Sequence, residues 1–130
     1  MRVLLDSHAF LWFVGGNCRF SQRARQIVED RDNESVFSIA SVREMAIKVG
    51  LGKLTPHVPF PMLISEQLKE NGIALLDVTV DHALRVAQLP YHHRGPSDRM
   101  LIAQTITEGL PIISADSVFD MYSVTRIWQR

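Results

Sequence analysis

Short apolar runs that stop at a polar residue and give way at once to helix-spaced patterns constrain this chain more than any other feature. Residues 3–5 (Val-Leu-Leu) end in Asp6, and Ser7-His8-Ala9 leads into Phe10, Leu11 and Trp12. This reads as a buried strand, a carboxylate at its carboxyl end and an immediate helix. The pattern recurs. Strands are predicted at 35–39, 73–76 and 111–113, with a last one around Val124 and Ile127. Helices are predicted from Ser21 (Ala24, Ile27, Val28), from Ser41 (Met45, Ala46, Ile47, Val49) to Gly50, and over 62–70. Two more are predicted over 80–88 (Ala83, Leu84, Val86, Ala87) and from Asp98 (Met100, Leu101, Ala103, Ile106) to Gly109, with a single turn at Val118 and Phe119. Strands separated by helices form parallel sheets covered on both faces. The expected fold is α/β: a three-layer α/β/α domain with a short-stranded parallel central sheet.

The 130 residues suit one domain, 1–130, with enough chain to bury a proper core. No apolar run approaches the roughly 20 residues of a membrane span, so no membrane is expected as a partner. The start of the chain reads as strand rather than leader, and the lone Cys18 excludes an internal disulfide; both point to the cytoplasm. Fourteen basic and fourteen acidic residues cancel. A neutral chain lacks the broad positive field of a typical nucleic-acid binder, so contact with one would need a local basic patch, a dimer groove or a metal ion.

Four acids stand where elements begin or end: Asp6 after the first strand, Glu44 within the third helix, Asp98 opening the long C-terminal helix and Asp116 after the strand at 111–113. Each has a local explanation. Asp6 and Asp98 suit N-caps, Ser41-x-x-Glu44 has the form of a capping box, and Asp116 suits a turn. Those explanations do not account for the repetition. In a parallel sheet the carboxyl ends of strands share one edge, where sites form, and the helices beginning there aim their first turns at it. Carboxylates about 5 Å apart repel by roughly 3 kcal/mol per pair at an effective dielectric of 20. Such a group takes up protons or holds a hard cation. Oxygen ligands without sulfur suit Mg²⁺ or Mn²⁺ rather than zinc, and a hydrated ion that favours phosphate oxygens suits phosphodiester hydrolysis.

The blocks LLDSHAFLW, SVREMAIKVGLGKL, HHRGPSDRMLIAQ and IISAD, in this order and spacing, resemble a PIN-domain ribonuclease, most closely the VapC-type toxins of prokaryotic toxin–antitoxin pairs. The resemblance runs from Met1 to about Val124. It implies a Mg²⁺- or Mn²⁺-dependent endoribonuclease leaving a 3′-hydroxyl and a 5′-phosphate. Asp6, Glu44, Asp98 and Asp116 would be catalytic, with Asp6, Asp98 and Asp116 holding the metal and Glu44 managing the attacking water. It also implies a homodimer, RNA as substrate and a small VapB-type antitoxin as partner. One departure stands out: the family often reads D-P-F-D-R where this chain has Gly95-Pro96-Ser97-Asp98-Arg99, so a supporting acid is replaced by glycine.

Around these acids, Ser7 and Ser114 are candidates to orient carboxylates, or local caps. Arg94 and Arg99, with His92 and His93, are candidates for RNA phosphates, or a solvated loop. Arg43 and Lys48 flank Glu44. His8 reads as packed or half-exposed rather than catalytic. Phe10, Trp12 and Phe13 are better placed in a core or dimer face than as a base-stacking platform. A phosphatase with an Asp6 nucleophile would want an acid where His8 stands, and a phospho-accepting receiver would want one after the strand at 35–39. A degenerate PIN module acting only by protein or RNA binding is the remaining alternative.

Overall fold

The computed structural model describes residues 1–93 and 95–128. Five parallel strands, β1 (Arg2–Leu5), β2 (Glu34–Ser38), β3 (Ala74–Leu76), β4 (Ile112–Ile113) and β5 (Arg126–Ile127), lie in the order β3-β2-β1-β4-β5. The helices are α1 (Ser7–Val14), α2 (Gln22–Glu29), α3 (Ile39–Gly50), α4 (Phe60–Glu70), α5 (Val80–Val86) and α6 (Pro96–Glu108), and a 3-10 turn spans Ser117–Met121.

Alternation along the strands divides the core between the two faces of the sheet. Val3 and Leu5 of β1, Phe37 of β2 and Ile113 of β4 pack with residues from α1, α2, α3 and α4. Leu4, Val36 and Ile112 face the other way, onto Leu101, Ile102 and Ala103 of α6 and Phe119 of the 3-10 turn. Both sets are almost wholly buried, which is why the strands read as unbroken apolar runs. The sheet flanked by helices is the expected three-layer architecture.

Local details differ from expectation in three places. The helix predicted from Ser41 begins at Ile39, because Ser38 supplies the cap by accepting the Ala40 N–H at 3.0 Å. Ser41 is buried, its hydroxyl has no partner among the described residues, and there is no capping box with Glu44. Glu44 therefore lies in the second turn. In α6 the N-cap is Gly95, with Pro96 opening the helix, so Asp98 lies inside the first turn and is free of capping. In α5, the apolar positions Ala83 and Leu84 are exposed, and the buried residue is His82, which shares a capping box with Thr79 and bonds Glu108 at 2.9 Å.

Strand order fixes where a site can form. β1 is paired with β2 on one side and β4 on the other, with Leu5 opposite both Phe37 and Ile113. The chain runs outward from β1 to β2 and β3 and then crosses back to add β4 and β5 on the other side of β1, which puts the switch point of the sheet at the carboxyl ends of β1 and β4. Asp6 and Ser114 are the first residues beyond those ends.

Candidate active site

Asp6 caps α1, its Oδ1 accepting the Ala9 N–H at 2.8 Å. Capping uses one oxygen; the other accepts a hydrogen bond from the Ser114 hydroxyl. Ser114 Oγ in turn accepts the Asp116 N–H at 3.0 Å, so one hydroxyl ties the ends of β1 and β4 together. Asp116 is exposed, and its Oδ1 caps the 3-10 turn through the Val118 N–H at 3.0 Å. Glu44 reaches the same edge from α3: Ser7 Oγ donates to its Oε1 at 3.2 Å, and Lys48 Nζ stands 3.9 Å from that oxygen. Ser7 and Ser114 thus each hold an acid, as one of their two expected roles required.

Electrostatics join Asp98 to this group. Burial pushes the Asp6 carboxyl from its ordinary 3.8 up to about 6, against the hydrogen bonds from Ser114 and Ala9, and the charge of Asp98 pushes the same way. Burial also raises Asp98; its hydrogen bond from His93 opposes the rise, while the charges of Glu44 and Asp116 add to it. Each acid is within electrostatic range of another, as crowding at one edge requires. Among the described residues, however, no three acids, histidines or cysteines close into a ready metal cluster. Hydrated Mg²⁺ or Mn²⁺ needs only one or two direct carboxylates, so a set of carboxylate oxygens without sulfur ligands fits such an ion.

His93 belongs to the site more closely than its sequence position indicated. Its Nε2 is 2.8 Å from Asp98 Oδ2, and its backbone N–H donates to the Tyr122 hydroxyl at 2.9 Å. Gly95 makes room for it: a Cβ there would stand 2.9 Å from His93 Nε2 and 3.3 Å from Cε1. The missing acid and the histidine two residues earlier are one arrangement, and the only sequence signal was a histidine five residues before an aspartate with glycine between.

Arg99 does not reach phosphates. It is buried, and its guanidinium donates to the carbonyls of Val86, Leu89, Pro90 and His93 at 2.9–3.3 Å, which leaves it an orienting role toward that loop. Arg94 lies outside the described residues. Phe10 is buried and stacked on Phe37 at 4.3 Å, while Trp12 and Phe13 pack against the same core, so none is a platform for bases. His8 is exposed, its ring 6.1 Å from that of Trp12.

The sequence profile of the PIN domain matches residues 3–124, and the chain belongs to that family, in its VapC-type branch. It is 30% identical over 115 residues to Ribonuclease VapC22 of Mycobacterium tuberculosis, a match covering 88% of this chain and 86% of that protein. Its fold is similar to a chain of the VapBC2 complex of Rickettsia felis bound to a promoter DNA fragment (TM-score 0.72, 12% identity, 98% of this chain and 99% of that one). It is also similar to VapBC-5 of M. tuberculosis (TM-score 0.62, 19% identity, 98% of each chain).

Proposed function

We propose that this protein is a metal-dependent endoribonuclease and the toxin of a type II toxin–antitoxin pair. The observation that carries the reading is the gathering of Asp6, Glu44, Asp98 and Asp116 at one sheet edge, where Asp6 and Asp98 hold protons more tightly than free carboxyls do. The likeness to Ribonuclease VapC22 supports RNA as the substrate. Asp6, Asp98 and Asp116 would hold Mg²⁺ or Mn²⁺, which when bound polarises a phosphate oxygen and lowers the pKa of a coordinated water. Glu44 is the general base: both of its described contacts, from Ser7 and Lys48, fall on Oε1, so Oε2 is available to accept a water proton. Ser114 fixes the Asp6 rotamer and the backbone of Asp116 together.

The structural likeness to VapBC complexes supports a small antitoxin as partner. An apolar groove of about 430 Å³, lined by Leu11, Val14, Leu54, Val58 and Leu63, offers such a partner a seat. Exposed Ile39 and Ile47 on α3, with Leu51 at its C-terminal cap, give apolar surface suited to a homodimer. No described helix is long and apolar enough to cross a membrane, which accords with action in the cytoplasm.

The test is direct. Purified protein should cleave RNA with Mg²⁺ or Mn²⁺, EDTA should stop it, and Asp98→Asn should lower the rate by at least 10²-fold while the circular dichroism stays unchanged. Metal-independent cleavage, or none, would refute the reading; RNA or antitoxin binding without cleavage would favour the degenerate binding module.

A further inference from the structure

Of all the described Phe, Trp and Tyr residues, Tyr91 alone is exposed, with 77% of its surface open. A single exposed aromatic is ordinarily unremarkable. This one is held rigidly. The Arg99 guanidinium lies 4.1 Å from its ring centroid, and Arg99 is itself buried and bound to four carbonyls of the segment that carries Tyr91. A second clamp comes from Tyr122, whose hydroxyl donates to the Pro90 carbonyl at 3.1 Å and accepts the His93 N–H. One face of the ring is backed by a cation and the rest is presented to solvent from an anchored loop.

The surroundings indicate what the open face meets. His93, which holds Asp98, is two residues on, and two peptide units put the Tyr91 Cα within about 7 Å of the His93 Cα. Pro90 and His92, on either side of Tyr91, line a neighbouring groove of about 600 Å³ that Tyr91 itself does not line; it mixes Arg85, Gln88 and Ser123 with Leu89, Ile106 and Met121 and holds no carboxylate. A groove beside Tyr91 that carries a cation and no acid can accept an anionic backbone.

We propose that Tyr91 is a stacking platform for an unpaired nucleobase of the RNA next to the cleaved bond, a positioning role that rests on the nuclease reading above. A base can lie flat on the ring only when it has left its own helical stack, so the proposal commits the enzyme to unpaired nucleotides at this position. Arg99 serves it indirectly, by fixing the ring.

Binding of a fluorescein-labelled octaribonucleotide of mixed sequence tests this by anisotropy, in an Asp6→Asn background with Mg²⁺ so that the probe survives. Tyr91→Ala and Tyr91→Leu should each weaken binding about tenfold, as loss of one base–aromatic stack does, and Tyr91→Phe should stay within twofold. A single abasic nucleotide scanned along the probe should cost the Tyr91 protein a similar factor at one position and cost Tyr91→Ala nothing further there. Equal binding by Tyr91→Ala, recovery with Leu, or no abasic-sensitive position would overturn the proposal. Should Tyr91→Ala misfold, the abasic scan and Tyr91→Phe still decide. Cleavage by the wild type keeps the two readings apart: its absence refutes the nuclease, whereas its presence with Tyr91-independent binding refutes only the platform.

Discussion

Replacing Asp6 by Asn should make the metal-free protein more stable, although the aspartate caps a helix. A carboxyl held at about 6 rather than 3.8 costs the folded state about 3 kcal/mol when it ionises at neutral pH. The sign follows from the direction of the shift. The stability contributed by a raised carboxyl is complete below 3.8, declines as pH rises, and is gone above about 6. Asn caps as well as Asp, so the Ala9 contact survives, while the contact with Ser114 must be remade at a cost of about 1 kcal/mol. The expected net gain at pH 7.5 is about 2 kcal/mol, or roughly 6–10 °C in Tm for a chain of this size. Thermal melts in EDTA from pH 4 to 8 should show the variant slightly below the wild type at pH 4, the two curves crossing, and the variant pulling ahead as pH rises to 7. Mn²⁺ should then raise the wild-type Tm more than the variant's. If Asp6→Asn melts below the wild type at pH 7.5 in EDTA, Asp6 is a structural cap and its burial does not penalise the charged form.

Two further outcomes separate holding an acid from building the loop. Gly95→Ala adds a Cβ 2.9 Å from His93 Nε2 at an unstrained φ of −62°, so it should drive the imidazole off Asp98 and weaken Mn²⁺ binding at least tenfold by titration calorimetry, with little change in Tm. Arg99→Lys cannot span the carbonyls of Val86, Leu89, Pro90 and His93, and should lower stability to urea by about 3 kcal/mol through the buried acceptors it strands.

The sheet was legible because its central strands are covered on both faces and therefore announce themselves as apolar runs. Residues 3–5 and 112–113 needed no more than that. Helix starts were harder. Ser38 and Ser41 are equally good caps in isolation, and what selects Ser38 is tertiary: it closes β2 in register with Leu76. The inward face of α5 could not be read from its apolar residues because α5 follows the edge strand β3 and buries the polar His82 against Glu108 on α6, leaving Leu84 in solvent. Arg99 misled for a similar reason: an arginine beside histidines looks like a phosphate ligand, and only folding shows four carbonyls around it.

The acids could be proposed as a set, since Asp6 and Asp116 follow strands, Asp98 lies in a first turn and Glu44 one turn further into α3, but the means of holding them were not in the sequence. Gly95 illustrates why. Taken as a departure from a family pattern it is a missing charge, and the natural inference is a weaker metal site. In the folded chain it is a missing Cβ, and the space admits an imidazole that bonds Asp98. The two substitutions have opposite electrostatic meaning. A fifth carboxylate would add to the repulsion that already raises Asp98, whereas the hydrogen bond from His93 lowers it. The site therefore steadies Asp98 with a hydrogen-bond partner that opposes the rise in its pKa, where another carboxylate would add to it. That makes the glycine and histidine a coupled pair: restoring the acid by Gly95→Asp must displace His93 before the new carboxylate can act, so the single change alters two contacts at once and only the double change with His93 isolates the charge.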